Sequence, residues 1–167
     1  MMFEKEYRPN VAVIIMNSEG KLLWCRRKDH QGWQFPQGGI DKHESPLQAA
    51  IRETREEVGL AIDDLNYIYE SKEWVKYKVP ESRRKKYFIN RSFVGQKQKW
   101  FLAYLNAKES SINLNNSKVI EFDKWQWVSY WYPTREIIDF KKPIYRKMLL
   151  EIWPVYKSFL IRSKGKV

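Results

Sequence analysis

Three glutamates at helical spacing are the residues of this sequence best suited to chemistry. Glu53, Glu56 and Glu57 stand at relative positions 0, 3 and 4, which places three carboxylates on one face of a helix. The like charges of Glu53 and Glu57 cost about 0.2–0.5 kcal/mol in an isolated helix, and a hard divalent cation would relieve that cost. Mg²⁺ takes oxygen ligands and bridges carboxylates to phosphates. The alternative is a solvated face on which Arg52 and Arg55 neutralise the acids.

The residues around these glutamates carry the start and stop signals of a helix. Ser45, Pro46 and Gln48 fit an N-cap, a first helical position and the far end of a capping box. Gly59 can take the left-handed conformation that ends a helix. The same segment has a second face that can pack on a core, made of Leu47, Ala50, Ile51, Thr54 and Val58.

The spacing of the whole segment resembles the Nudix box, G-x5-E-x7-R-E-U-x-E-E-x-G-U, where U is a bulky aliphatic residue. One position departs from the pattern, because Thr54 stands where an aliphatic residue is expected. The resemblance implies an α/β Nudix fold, with a mixed β-sheet in an α/β/α sandwich and the box helix beside the sheet. The matching positions are Gly38, Glu44, Arg52, Glu53, Glu56, Glu57, Gly59 and Leu60, with Val58 between the last glutamate and the glycine.

Nudix enzymes hydrolyse a nucleoside diphosphate linked to another group, so the resemblance also implies roles for the residues of the box. Glu53, Glu56 and Glu57 would bind Mg²⁺, for which Mn²⁺ or another divalent cation can substitute. Glu53 or Glu57 would be the base that deprotonates water, and the sequence does not choose between them. The resemblance implies that Glu121 reaches the metals as a fourth carboxylate, with Asp123 as the second candidate for that role. It also implies that the Gly38 backbone lies near the metal. Structural roles in the motif are implied for Gly39, Glu44, Arg52 and Gly59.

The rest of the chain alternates predicted strands with loops and ends in a helix. This pattern fits a mixed sheet covered by helices. The predicted strands are residues 8–16, 21–27, 65–79 (one long or two short), 96–105 and 125–131. A short helix capped by Thr134 is expected through residue 138, and a long one over residues 144–161. Residues 80–92 are predicted to be a basic loop, residues 162–167 a frayed basic tail, and residues 1–167 a single domain.

Composition and net charge indicate which classes of molecule this protein could bind and in which compartment it could work. The net charge of +11 favours a polyanion such as nucleic acid. Residues 11–16 form the longest apolar run near the N-terminus, well short of the roughly 18 residues that a membrane span needs, so no membrane partner is expected. The single cysteine, Cys25, excludes an internal disulfide and suits a reducing cytoplasm. The first residues lack the layout of a signal peptide.

Segments outside the box, such as GWQFPQGGI, GQKQKWF and VSYWYP, resemble the Nudix branch that converts the 5′-triphosphate or diphosphate end of RNA to a monophosphate. Arg8, Arg27, Gln96 and Lys99 offer donors for phosphates, and each is otherwise a surface side chain. The resemblance implies a base-binding patch of Ile138, Phe140 and Lys141 facing Arg27, with Tyr77 in the same cleft. Without it, Ile138, Phe140 and Tyr77 are packing residues. The loops at residues 29–33 and 80–92 would contact the backbone of single-stranded RNA.

Two other functions remain open at this level. A hydrolase of dinucleoside polyphosphates would present the same phosphates to the same metals, so the box does not separate it from an RNA enzyme. A module that binds RNA ends with a decayed site belongs to another class. Three intact, mutually repelling glutamates argue against it, because a binding module has no use for them.

Overall fold

The computed structural model describes residues 6–29, 32–90 and 92–165, in which eight strands form one mixed sheet with helices on both faces. The strands are β1 (Tyr7–Met16), β2 (Leu22–Arg27), β3 (Trp33–Gln34), β4 (Gln37–Gly39), β5 (Leu65–Glu70), β6 (Val75–Lys78), β7 (Gly95–Leu105) and β8 (Phe122–Val128). The helices are α1 (Pro46–Val58), α2 (Arg84–Tyr87), α3 (Tyr132–Glu136) and α4 (Lys142–Lys164).

Two long strands form the centre of the sheet. β1 and β7 run parallel over ten paired residues, from Tyr7 opposite Gly95 to Met16 opposite Tyr104. The path β3-β2-β1-β7-β5 continues outwards through antiparallel pairs, while β4 pairs with β1, β6 with β7 and β8 with β2. β1 and β2 form the predicted hairpin, and residues 65–79 are two short strands rather than one.

Alternating side chains of the central strands supply two separate cores. Val11, Val13 and Ile15 of β1 point towards α1, where Ala50 and Val58 pack on them. Their neighbours Ala12 and Ile14 point to the opposite face, which is covered by α4. The buried residues of α4 on this face are Tyr145, Met148, Leu149, Ile152 and Tyr156. Both faces of β1 are buried, as its continuous apolar sequence predicts. The expected α/β/α layering is confirmed.

The helix that carries the box, α1, begins and ends as predicted. Ser45 accepts a hydrogen bond from the Gln48 backbone, and the Gln48 side chain accepts one from the Ser45 backbone, so the capping box is complete. Gly59 takes the left-handed conformation, with φ of 74°, and its N–H donates to Arg55. Thr54, the departure from the Nudix pattern, is fully buried on the core side of the helix.

Three predictions about the second half of the chain were wrong in detail. Residues 84–87 of the expected basic loop form α2, following a 3₁₀ turn at Glu81–Arg83. β8 begins and ends three residues earlier than predicted, because its register is set by pairing with β2 from Leu22 opposite Val128. Thr134 lies inside α3 and its hydroxyl donates to the Trp131 carbonyl, so it does not cap the helix.

The C-terminal helix is longer than predicted. α4 extends through Lys164, which includes residues 162–164 of the expected frayed tail; the last two residues lie outside the described ranges. Its buried face anchors it to the sheet, and the Tyr156 hydroxyl donates to the Gly20 carbonyl at 2.5 Å. Among the helices in the described ranges, none combines the length and apolarity that crossing a membrane would require.

Candidate active site

A polar cavity of about 260 Å³ lies where α1 meets β1, β4 and the start of β7. It brings together eight residues that sequence analysis selected as candidates, drawn from six separate segments of the chain. These are Arg8, Arg27, Gly38, Gly39, Glu53, Glu57, Gln96 and Glu121. Four further lining residues were not named individually. These are Asn10 and Gln37, together with Lys86 and Tyr87 from residues 80–92, which were expected to contact RNA only as a loop.

The carboxylates of Glu53 and Glu57 in α1 face this cavity and are largely shielded from water. Burial is the main reason that the pKa of Glu53 is raised to about 7, although the Arg52 guanidinium opposes the rise. The pKa of Glu57 is raised well above its usual range by burial and by the neighbouring Glu53 carboxylate. One Glu57 oxygen accepts a hydrogen bond of 3.2 Å from the Gln37 backbone N–H. The pair therefore favours a proton or a cation in the site.

Arg52 holds the Glu53 side of the cavity in place. Its guanidinium donates to Glu44 at 2.8 and 2.9 Å, to the Gly39 carbonyl at 2.8 Å and to Glu53 at 2.8 Å. These four bonds connect α1 to β4 and to the loop before the helix. Bidentate pairing of a guanidinium with a carboxylate fixes orientation as well as charge. These bonds favour the orienting role expected for Arg52 and Glu44, which stays a prediction.

The two glycines of β4 allow charged side chains to approach the backbone closely. A β-carbon at Gly38 would overlap the Glu53 carboxylate, and one at Gly39 would overlap the Arg8 guanidinium. The absence of a side chain at these positions thus lets one carboxylate and one cation approach β4.

The other candidate carboxylates differ in their placement. Glu121 lines the cavity with its side chain 40% exposed, and one of its oxygens lies 3.8 Å from the Arg27 guanidinium. Asp123, the second choice, is held by two hydrogen bonds from Arg26 at 2.8 and 2.9 Å. Glu56 is half exposed, lies 3.4 Å from Arg52, and is not part of the cavity lining.

The donor set of the cavity fits a hard divalent cation. Glu53, Glu57 and Glu121 offer oxygen atoms, whereas zinc prefers histidine and cysteine. In the described part of the chain, no three or more Asp, Glu, His or Cys side chains are arranged so that they could hold a metal ion by themselves. Mg²⁺ suits such an open arrangement, because it keeps several waters and completes its shell with substrate phosphates.

An aromatic and basic cluster lies beside the cavity. Phe140 is half-buried, with its ring centroid 5.9 Å from that of Tyr87 and 6.1 Å from that of Tyr77. Lys141 is only 2% exposed and its ammonium lies 5.2 Å from the Tyr87 ring centre. Burial, together with the nearby Arg27 charge, lowers the pKa of Lys141 to about 7. Ile138 is half-buried against the core beneath α4.

Two nominated residues lie away from the cavity. Tyr77 is buried and donates its hydroxyl to Gln96 at 3.1 Å, so it packs behind a lining residue, in agreement with the packing alternative. The Lys99 ammonium donates to the carbonyls of Ser71 and Lys72. Because side chains alternate along β7, Lys99 points away from the face that carries Gln96.

The lining residues that sequence reasoning missed gave signals of different strength. Asn10 stands two residues after Arg8 on one strand, so period-two alternation could have placed both on one face. Lys86 and Tyr87 reach the cavity because residues 84–87 form α2, and no local signal predicted that helix. Of the loops expected to contact RNA, residues 30, 31 and 91 lie outside the described ranges.

Known proteins of similar sequence cover nearly the whole chain. Residues 6–150 match the NUDIX domain family. The chain is 50% identical over 163 residues to the RNA pyrophosphohydrolase of Pasteurella multocida, covering 95% of this chain and 82% of that one. It is 45% identical over 161 residues to the RNA pyrophosphohydrolase of Photobacterium profundum, covering 96% and 92% of the two chains.

Solved structures agree in fold. The E. coli dihydroneopterin triphosphate pyrophosphohydrolase superposes with a TM-score of 0.69 at 19% identity, covering 87% of this chain and 98% of that one. A C. elegans Ap4A hydrolase binary complex superposes with a TM-score of 0.61 at 21% identity, with the same coverage. At such low identity these structures establish the fold alone. Together, the family match, the relatives and the cavity built on the box helix establish that this chain belongs to the Nudix family.

Proposed function

We propose that this protein hydrolyses the 5′-triphosphate or 5′-diphosphate end of RNA, leaving a 5′-monophosphate and releasing pyrophosphate or phosphate. The observation that carries the proposal is one cavity in which the cationic side chains of Arg8 and Arg27 face the carboxylates of Glu53 and Glu57. The relatives named RNA pyrophosphohydrolase support the same substrate. A 5′-monophosphate end would promote decay of the transcript, and the cytoplasm is the proposed location.

Hydrolysis by Nudix enzymes depends on a divalent metal, and we assign Mg²⁺ to the Glu53, Glu57 and Glu121 side of the cavity. Mn²⁺ or another divalent cation can substitute. Glu56 and the Gly38 backbone are further ligand candidates next to these carboxylates. When bound, the metal neutralises phosphate charge and makes a bound water more acidic.

The side chains of the cavity divide the remaining work. Glu53 or Glu57 accepts the proton of the attacking water, since each is a buried carboxylate with a raised pKa. Arg8 and Gln96 donate hydrogen bonds to the terminal phosphates, and Arg52 keeps the Glu53 carboxylate oriented. Lys86 adds a cation to the same wall.

The aromatic and basic cluster would bind the first bases of a single-stranded end. RNA ends are recognised by stacking splayed bases on aromatic rings or guanidinium planes. Phe140, Lys141 and Ile138 supply one wall and Arg27 the other. The Arg27 guanidinium pairs with Asp29 at 2.7 Å, so RNA binding would exchange that carboxylate contact for phosphate or base contacts.

A side-by-side turnover assay with Mg²⁺ tests the proposal. A 5′-triphosphorylated RNA, a 5′-diphosphorylated RNA and diadenosine tetraphosphate are compared at equal concentration, with Glu57→Gln as a control for contaminating phosphatase. We expect the RNA ends to be converted much faster than the dinucleotide. Faster cleavage of diadenosine tetraphosphate would instead identify a dinucleoside polyphosphate hydrolase. RNA binding without turnover of any substrate would identify an end-binding module.

A further inference from the structure

A buried chain of hydrogen bonds leads from the core to the cavity. The indole N–H of Trp100 donates to Oε1 of Gln98 at 3.0 Å, and Nε2 of Gln98 donates to Oδ1 of Asn10 at 2.8 Å. Trp100, Gln98 and Asn10 are exposed by 2% or less. Three polar groups joined in a nearly dry environment form a network whose geometry is costly to change.

The direction of this chain follows from the chemistry of its first member. An indole N–H can only donate, so the atom of Gln98 that faces it must be the carbonyl oxygen. The amide nitrogen of Gln98 then points at Asn10, and the atom of Asn10 that receives it must again be oxygen. The amide nitrogen of Asn10 is left at the free end. Trp100 therefore sets the orientation of an amide two residues further along the chain of bonds.

The residue at that free end lines the cavity. Asn10 is part of the cavity lining, and in the described part of the chain its Nδ2 has no hydrogen-bond partner. The parallel register sets Arg8 opposite Gln96 and Asn10 opposite Gln98, so Arg8 and Asn10 occupy the same face two residues apart. Asn10 thus lies on the strand face that carries Arg8, and its backbone pairs with Gly39 of β4.

We propose that Asn10 contacts the phosphates of the substrate through Nδ2, and that Gln98 and Trp100 are positioning residues that keep this donor turned into the cavity. This inference rests on the proposed function, because it assigns a ligand to the same cavity. An amide that was free to rotate could present its oxygen to the phosphate, where two acceptors would repel. The bond from Gln98 removes that orientation.

The test measures the contribution of the 5′-phosphates to binding. Affinity is compared for a 5′-triphosphorylated RNA and a 5′-hydroxyl RNA of the same sequence, in Mg²⁺-free buffer. One hydrogen bond to a charged group is worth roughly 10- to 100-fold in affinity. We expect Asn10→Ala to reduce the preference for the triphosphate by about that factor and to leave affinity for the hydroxyl RNA unchanged. Asn66→Ala, on the exposed face of β5, is the control and keeps the full preference.

The role of the positioning residues requires a double-mutant cycle. Gln98→Leu removes the bond that orients Asn10, so we expect a smaller loss of triphosphate preference than for Asn10→Ala. The double variant should lose no more than Asn10→Ala alone. Additive losses, or equal losses for both RNAs, would contradict the positioning role. Should Asn10→Ala prove unfolded by circular dichroism, Asn10→Ser takes its place, because serine is also small and polar.

The two levels of the proposal fail separately. If the unaltered protein does not prefer the triphosphorylated RNA, the proposed function itself is wrong. If it does, and Asn10→Ala and Asn10→Ser retain the full preference, Asn10 does not contact phosphate and only this inference is overturned.

Discussion

The Glu53 carboxylate lies against the α-carbon of Gly38, in the space that a β-carbon at position 38 would occupy. Gly38→Ala must therefore displace Glu53 or shift β4 away from α1. Small displacements of catalytic groups cost about 100-fold in rate. We expect steady-state turnover of triphosphorylated RNA to fall by about that factor. Gly165→Ala, at the end of α4 where a β-carbon meets nothing closer than 3.5 Å, is the matched control. Full activity of Gly38→Ala would show that the placement of Glu53 is not critical.

Glu53→Gln should lower the hydrolysis rate by orders of magnitude and leave RNA binding largely intact. The change removes a charge and a proton acceptor from the cavity but keeps the shape of the side chain. Single-turnover rates and equilibrium binding of the same RNA separate the two effects. Glu136→Gln, an exposed change in α3, serves as the control. An unchanged rate for Glu53→Gln would exclude this carboxylate from the mechanism.

The stability of the metal-free protein should depend on the protonation of Glu53. Its pKa is raised to about 7 by burial, so the folded state binds the proton more tightly than the unfolded state does. Stability is therefore highest below the usual glutamate pKa, falls between about pH 4.5 and 7, and loses about 2–3 kcal/mol over that range. Thermal unfolding in EDTA measures this. Glu53→Gln should make the profile shallower without removing the slope, because burial also raises the pKa of Glu57.

Added Mg²⁺ should oppose the same trend. Metal binding requires the charged carboxylates, so it competes with protons and grows stronger as the pH rises. We expect excess Mg²⁺ to raise the melting temperature more at pH 8 than at pH 5. A shift of equal size at both values would mean that the metal does not bind at these glutamates.

The buried ammonium of Lys141 should reduce the stability of the folded protein. Burial lowers its pKa to about 7, so folding is penalised most below pH 7 and the penalty disappears towards the unfolded pKa of about 10.4. Lys141→Met should raise the melting temperature by a few degrees, about 2–4 °C per kcal/mol gained, and more at pH 6 than at pH 10. The same variant should bind RNA more weakly. Lys142→Met, which is far more exposed, should change neither.

Phe140 distinguishes base stacking from core packing. Its ring is only half-buried beside Tyr87, so Phe140→Ala should weaken RNA binding by roughly 1–3 kcal/mol per lost base stack. Phe159→Ala removes a ring of similar burial that contacts Tyr104 under α4, and it should leave binding unchanged. If Phe140→Ala unfolds the protein instead, the ring is chiefly a core residue.

Local signals were sufficient to predict α1. Ser45, Gln48 and Gly59 act within one turn of their own positions, so the caps could be read from sequence order and they formed as predicted. The strands of the centre were predicted for a similar reason, since β1 is buried on both faces and shows it as an unbroken apolar run. β8 was shifted by three residues because pairing with a distant strand, and not its own composition, sets its ends.

The side chains of the strands could not be assigned to faces so easily. Lys99 and Gln96 belong to one basic string and appeared equally suited to phosphate, yet the pleat of β7 sends them to opposite sides. Tyr77 is the cross-strand partner of Gln96, and it is buried behind that residue. Glu121 was predicted to be a fourth carboxylate of the site only because of the resemblance to the Nudix family. It is far from the box in sequence, so nothing local indicates that the fold brings it close to Glu57.

The sequence by itself determined the family, the box helix and the chemistry of its carboxylates, because these depend on residue types at short, fixed spacing. The tertiary structure decided which side chains share the cavity, what their pKa values are and which hydrogen bonds they form. Burial raised the pKa of Glu53, and the parallel register of β1 and β7 set Asn10 beside Gln98, whose amide donates to Asn10 Oδ1. Desolvation and cross-strand hydrogen bonds depend on contacts between residues that are distant in the chain, and local spacing does not record them.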